Sequence, residues 1–150
     1  MIFIMLCLAL LGGIALAIQA SVNGKLGAQV GVFKSAFLTF SVGALVTGLL
    51  VFFFDPKHEL TLFDVLKWQL MGALLGVPYI VIMVLAVGKI GTAVATVAVI
   101  FGQLAMSLLI DTLGWFHNEA IAFSIPRLLA VICLGIALYF IYQSNRQTAE

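Results

Sequence analysis

Residues 68–116 read WQLMGALLGVPYIVIMVLAVGKIGTAVATVAVIFGQLAMSLLIDTLGWF, and their only charged members are Lys89 and Asp111. A helix crossing a hydrocarbon core of ~30 Å uses about 20 largely apolar residues, so this stretch is too long for one span. Gly88-Lys89-Ile90-Gly91 is the natural break, because two glycines flanking a lysine suit a short interfacial turn. The stretch therefore reads as a third helix at about 68–87 and a fourth at about 92–113.

Towards the N-terminus, residues 2–22 carry no charge and end at Asn23-Gly24-Lys25, from which a Gly-rich link leads to Lys34. A second apolar run, 35–54, stops at Asp55-Pro56-Lys57-His58-Glu59, and the polar stretch continues through Asp64 to Lys67. Towards the C-terminus, 117–126 reads as a loop, and Arg127 opens a fifth helix reaching about residue 142. Five helices at about 2–22, 35–54, 68–87, 92–113 and 127–142 make residues 1–150 one all-α transmembrane domain, with no room for a soluble one. The runs are continuous rather than ten-residue alternating segments, which excludes a membrane β-barrel. The first run is too long and lacks the basic start of a signal peptide.

Composition agrees. The 150 residues are 64% hydrophobic and 9% charged, with a mean hydropathy of +1.26, whereas soluble domains carry about 25% charged residues. Seven Lys+Arg against six Asp+Glu leave no basic surface for nucleic acid. Cys7 and Cys133 lie in apolar runs, and His58 and His117 lie in loops without ligand spacing, so neither a disulfide framework nor a metal site is expected. No nucleophile–base pair or phosphate loop is present, so an enzyme is not expected, and no cofactor is implied.

Positive residues normally gather on the cytoplasmic side. Five spans would set Lys57, Lys67 and Arg127 on one side and Lys25, Lys34, Lys89 and Arg146 on the other. A difference of one charge leaves two readings open. Either the first lysines or a partner chain set a single orientation, or the chain inserts both ways and pairs antiparallel. Two inverted five-helix units would reproduce the inverted-repeat plan of many secondary transporters.

Polar residues at membrane depth are costly and mark candidate sites. Gln19 and Asn23, four apart, share a face with Gly12 and Leu16. Ser35, Thr39, Gly43 and Thr47 step by four along the second helix, and Gln103, Ser107 and Asp111 along the fourth, which also carries Thr92 and Thr96. Gly72 and Gly76 form a GxxxG pair suited to close contact. Pro78 and Tyr79 follow, where a kink and a hydroxyl could open a cavity. At 1.5 Å per residue Gln103 lies about 18 Å into its helix, near the midplane, and Asp111 about 30 Å along, at the far interface. Gln19 and Asn23 are expected at the end of the first helix. Ser and Thr also bond their own helix backbone, small-residue stripes also serve packing, and Asp111 also reads as a helix-end carboxylate.

Gln19-Ala20-Ser21-Val22-Asn23-Gly24-Lys25-Leu26-Gly27 and Gly102-Gln103-Leu104-Ala105-Met106-Ser107-Leu108-Leu109-Ile110-Asp111 together resemble the YdcZ-like five-helix family of the drug/metabolite transporter superfamily. Ser41-Val42-Gly43, Gly72 to Tyr79 and Lys89-Ile90-Gly91 extend the likeness over nearly the whole chain. The resemblance implies a bacterial inner-membrane transporter: a half of the EamA type, paired as an antiparallel homodimer or with a paired homologue to give ten helices. It also implies a central polar site containing Gln19, Asn23, Gln103 and Asp111. With Tyr79 and Ser107 these are the candidate substrate-binding residues. Four-helix small multidrug resistance transporters use a first-helix glutamate for proton exchange; here that helix carries only Gln19, so neither that coupling nor lipophilic-cation export is implied. The expected function is alternating-access transport of a small metabolite or drug-like compound. A dual-topology passive channel and a non-transporting subunit of a membrane complex are the alternatives.

Overall fold

The computed structural model describes residues 1–56, 66–117 and 119–149. It contains the helices α1 (Ile2–Val30), α2 (Val32–Phe54), α3 (Gly72–Leu113) and α4 (Ile125–Ala149), with short 3-10 turns at Lys67–Met71 and Trp115–His117. Four described helices are long and apolar enough to cross a membrane. Lys57, His58, Glu59 and Asp64, in the expected polar loop, lie outside the described residues.

α3 is interrupted at Gly91, whose φ of 78° and ψ of 163° are not helical. That conformation suits a residue without a Cβ. Its limbs, 72–90 and 92–113, correspond to the third and fourth expected helices. The break is narrower than the expected Gly88–Gly91 turn, because Gly88 and Lys89 remain helical. Pro78 also stays within helical φ/ψ, so the interruption in α3 falls at Gly91 rather than at the proline. The first turn expected from residue 68 is a 3-10 turn, with the Gln69 N–H donating to the Leu66 carbonyl at 2.9 Å.

The Asn23–Lys34 link is the main correction. α1 does not end near residue 22 but continues to Val30, and α2 begins at Val32, so only Gly31, at φ 94°, separates them. Each interior glycine costs about 1 kcal/mol of helix propensity relative to alanine, and packing explains their place. The buried residues of α1 are Ala20, Asn23, Gly24 and Gly27, one face at helical spacing. A Cβ on Gly24 would collide with Val87, and one on Gly27 with Val84. These glycines bring α3 against α1 instead of ending the helix. The expected Gly72–Gly76 pair has no such role: nothing lies within 4 Å of a Cβ on Gly72, and Phe40 meets one on Gly76 at an ordinary 3.6 Å.

The chain divides into two compact units, Met1–Lys89 and Ile90–Glu150. The first holds the α1–α2 hairpin and the 72–89 part of α3. Within the second, Asn145 Nδ2 donates to the Ile90 carbonyl at 3.0 Å, supplying a partner beside the helix break. After Leu113 the chain turns through Gly114 and Phe116, both with φ near 60°, and the Ile121 N–H returns to the Asp111 carbonyl at 2.9 Å. The Ser124 carbonyl accepts from the N–H groups of Arg127 and Leu128. Pro126 sits in the first turn of α4, where its missing donor is tolerated. α4 thus begins two residues before Arg127 and outlasts the expected end near 142.

Large apolar side chains face outward along the helices, among them Phe3 (77% exposed), Leu10 (69%) and Phe52 (80%). Lipid is a favourable environment for such a surface.

The Gly27–Val84 approach makes the first prediction. Gly27→Ala lowers the thermal stability of the purified protein by an amount equivalent to about 1–3 kcal/mol, and adding Val84→Ala recovers part of that loss. Additive losses in a double-mutant cycle measured by thermal unfolding would remove this contact from the explanation.

Candidate functional site

Residues equally far from the turn of a helical hairpin tend to face each other, and this one pivots on Gly31. Gly27 and Ser35 lie four positions from it, Asn23 and Thr39 eight. The Thr39 hydroxyl lies 3.0 Å from Asn23 Oδ1 and 3.0 Å from the Ser35 carbonyl, and its single proton is shared between these acceptors. Ser35 is fully buried and donates its hydroxyl to the Asn23 carbonyl at 3.1 Å. Asn23 is only 8% exposed, and α2 satisfies both its backbone and its side-chain oxygen. Its amide is thereby held in one orientation, with Nδ2 outside these bonds.

Asn23 borders a small half-open cavity between α1 and the 72–90 limb of α3. Gln19 and Tyr79 supply its other polar groups, and Leu16, Ala20, Ile80, Met83 and Val84 form an apolar wall. Gln19 and Asn23 stand one turn apart on α1, while Tyr79 follows Pro78 on α3. Because α1 runs to Val30, Asn23 lies about 10 Å and Gln19 about 16 Å before its end. Both therefore sit within the helix, not at its terminus as the sequence suggests. The cavity's enclosed space of about 10 Å³ admits about one water molecule, far below the ~300–1,000 Å³ of typical ligand sites.

Three of the six candidates, Gln19, Asn23 and Tyr79, are thus brought together. Gln103, Ser107 and Asp111 belong to the second unit, on the 92–113 limb. Gln103 is exposed. Ser107 donates to the Leu104 carbonyl of its own helix at 2.9 Å, and Thr47 does the same to Gly43 at 2.8 Å. Asp111 Oδ2 lies 3.5 Å from Arg127 Nη1, with the two side chains 36% and 31% exposed. This contact is an ion pair without hydrogen-bond geometry, since Nη1 is buried and has no hydrogen-bond partner. Such partly exposed pairs contribute about 0–1 kcal/mol.

Sequence reading missed Thr39 and Ser35 as the groups that orient Asn23, and Arg127 as the partner of Asp111. The first signal was available in the symmetry about Gly31, but it is readable only once that residue is known to be the whole turn. Among the described residues no group of three or more His, Cys, Asp or Glu could hold a metal ion.

A family model described as "Putative inner membrane exporter, YdcZ" matches residues 4–140. No curated protein and no solved structure matches the chain.

The clasp on Asn23 is testable. Thr39→Val, which keeps the side-chain shape but removes the donor, costs about 1 kcal/mol of stability. In an Asn23→Ala background the same change costs measurably less. Equal losses in both backgrounds, read by thermal unfolding, would mean that the Thr39–Asn23 bond contributes nothing.

Proposed function

This chain belongs to the DMT_YdcZ family of inner membrane exporters, and from that premise we propose that it is one half of a secondary transporter in the bacterial inner membrane. Membership and the long apolar helices make it a multi-pass membrane protein of a transport family rather than of an enzyme family. The proposal adds the rest: five spans, counting the limbs of α3 separately, and antiparallel pairing with a second copy or a paired homologue. It also adds alternating access to a small metabolite or drug-like compound.

The observation that carries transport is the cavity walled by Gln19, Asn23 and Tyr79. Polar groups lining an opening among membrane-crossing helices are what a passing solute requires, and they are costly to keep there otherwise. Pairing is supported by Gln103. Its amide is exposed midway along an apolar limb, where lipid would leave it without hydrogen-bond partners. In an antiparallel pair two midplane Gln103 side chains meet, satisfying each other and offering donors and acceptors to a solute. Gln19, Asn23, Tyr79, Ser107 and Asp111 complete the proposed substrate contacts. Rocking of the inverted halves then gives equivalent inward- and outward-facing states.

Three measurements test this reading. Paired reporters fused after Glu150 give signal from both sides of the membrane if the chain inserts both ways; one-sided signal removes the homodimer and directs the search to a partner chain. Gln103→Cys, in a chain otherwise lacking cysteine, cross-links into a dimer in membranes. In reconstituted vesicles, solute uptake saturates, exhibits counterflow and is lost in Gln103→Leu, whereas non-saturating flux would indicate a channel.

A further inference from the structure

We infer that the cavity between α1 and the 72–90 limb is a water site, in which Gln19, Asn23 and Tyr79 hold a single ordered water between membrane-crossing helices. Its enclosed space of about 10 Å³ lies at the lower end of the ~10–15 Å³ that a single water needs, so size excludes a larger guest. Chemistry then decides between a wet and a dry space. Cavities that stay dry are walled by apolar groups alone, whereas a water is retained where about two to four polar partners converge. Here two amides and a phenol border the same space, and aliphatic and thioether groups close the rest.

The polar groups match what a water can offer. A side-chain amide both donates and accepts, and a phenol does either. Asn23 Oδ1 accepts from Thr39 at 3.0 Å and keeps a second lone pair, while Nδ2 remains a donor. Ser35 and Thr39 hold Asn23 from α2, so this partner is positioned before any water arrives. Gln19 stands one turn away on α1 and Tyr79 on the facing limb. The water therefore links two helices that otherwise approach where Val84 and Val87 meet glycine backbone. Hydrocarbon offers these polar groups no partner, and an ordered water bonds almost as well as a direct one. On the transporter reading, which the water itself does not require, a solute meets this wall through that molecule rather than by entering it.

Water-edited solid-state NMR of the full chain, in vesicles of acyl-deuterated phosphatidylcholine, measures transfer of magnetisation from water to side-chain carbons. The exposed Asn145 is the wet reference and the Ala95 methyl, 1% exposed, the dry one; an Asn23→Ala spectrum assigns the Asn23 signal. The expected build-up at Asn23 is within about twofold of that at Asn145 and several-fold faster than at Ala95. Tyr79→Phe and Gln19→Leu, both mild changes, each slow it about twofold, and the double variant slows it towards the Ala95 rate. Ala20→Val takes up the space while keeping all three polar groups, and it likewise slows the transfer. Build-up at Asn23 as slow as at Ala95 would mean a dry cavity. Build-up unchanged in the double variant, or in Ala20→Val, would mean open hydration instead of a held molecule. Each of these results overturns the inference. Failure of the transporter reading is a separate result, in which Asn23 is hydrated as expected while vesicles display no Gln103-dependent flux. Conversely, intact flux with a dry Asn23 sinks the water site and leaves transport standing.

Discussion

Two glycines on one face of α1 make the rest of the first unit possible. Where Gly24 and Gly27 present bare backbone, Val87 and Val84 occupy the space that side chains would have filled. That approach sets α3 against α1 just beyond Asn23 and leaves room for a cavity on the N-terminal side, where Leu16 and Gln19 have larger side chains. Without an aqueous hydrophobic effect between helices, close van der Waals contact through small residues is a principal means of association in lipid. The helix propensity lost at the two glycines is thus offset by packing.

The same face carries the polar device. Asn23 lies in the small-residue stripe, and an amide buried among apolar helices is tolerated when its oxygen is satisfied. Ser35 and Thr39 provide that from α2, because the one-residue turn at Gly31 keeps the two helices in register. Packing and polarity are therefore coupled: the contact that closes α1 against α3 also stations an oriented amide at the cavity edge. In the second unit, Asn145 meets the Ile90 carbonyl beside the Gly91 break, and Arg127 faces Asp111 across a pair that lacks hydrogen-bond geometry. Both contacts answer charge or backbone polarity left over by the course of α3.

Much of the fold was legible in residue order. The apolar runs marked where the described helices lie, though not their ends, and the break in α3 at Gly91 falls within the expected Gly88–Gly91 turn, because hydropathy and glycine chemistry are local properties. The errors share one cause. Asn23-Gly24-Lys25 looks like a helix stop because glycine is a poor helix former and lysine prefers an interface, yet α1 passes through it. Whether a glycine ends a helix or seats a neighbour depends on what lies opposite, and Val84 and Val87 are some sixty residues away in sequence. The Gly72–Gly76 pair failed in the reverse sense, matching a contact motif where no close contact forms.

Sequence alone determined that this chain has the long apolar runs of a membrane protein, that one of them breaks near Gly91, that it resembles the YdcZ exporters, and which side chains are too polar for lipid. These follow from composition and spacing, which survive any arrangement of the helices. Tertiary structure decided which of those polar side chains cooperate. It gathered Gln19, Asn23 and Tyr79 around one opening, tied Ser107 to its own backbone and paired Asp111 with Arg127. Helical spacing gives a residue its face, but only packing gives that face a neighbour, and the neighbour determines whether a polar group binds a ligand or another part of the chain.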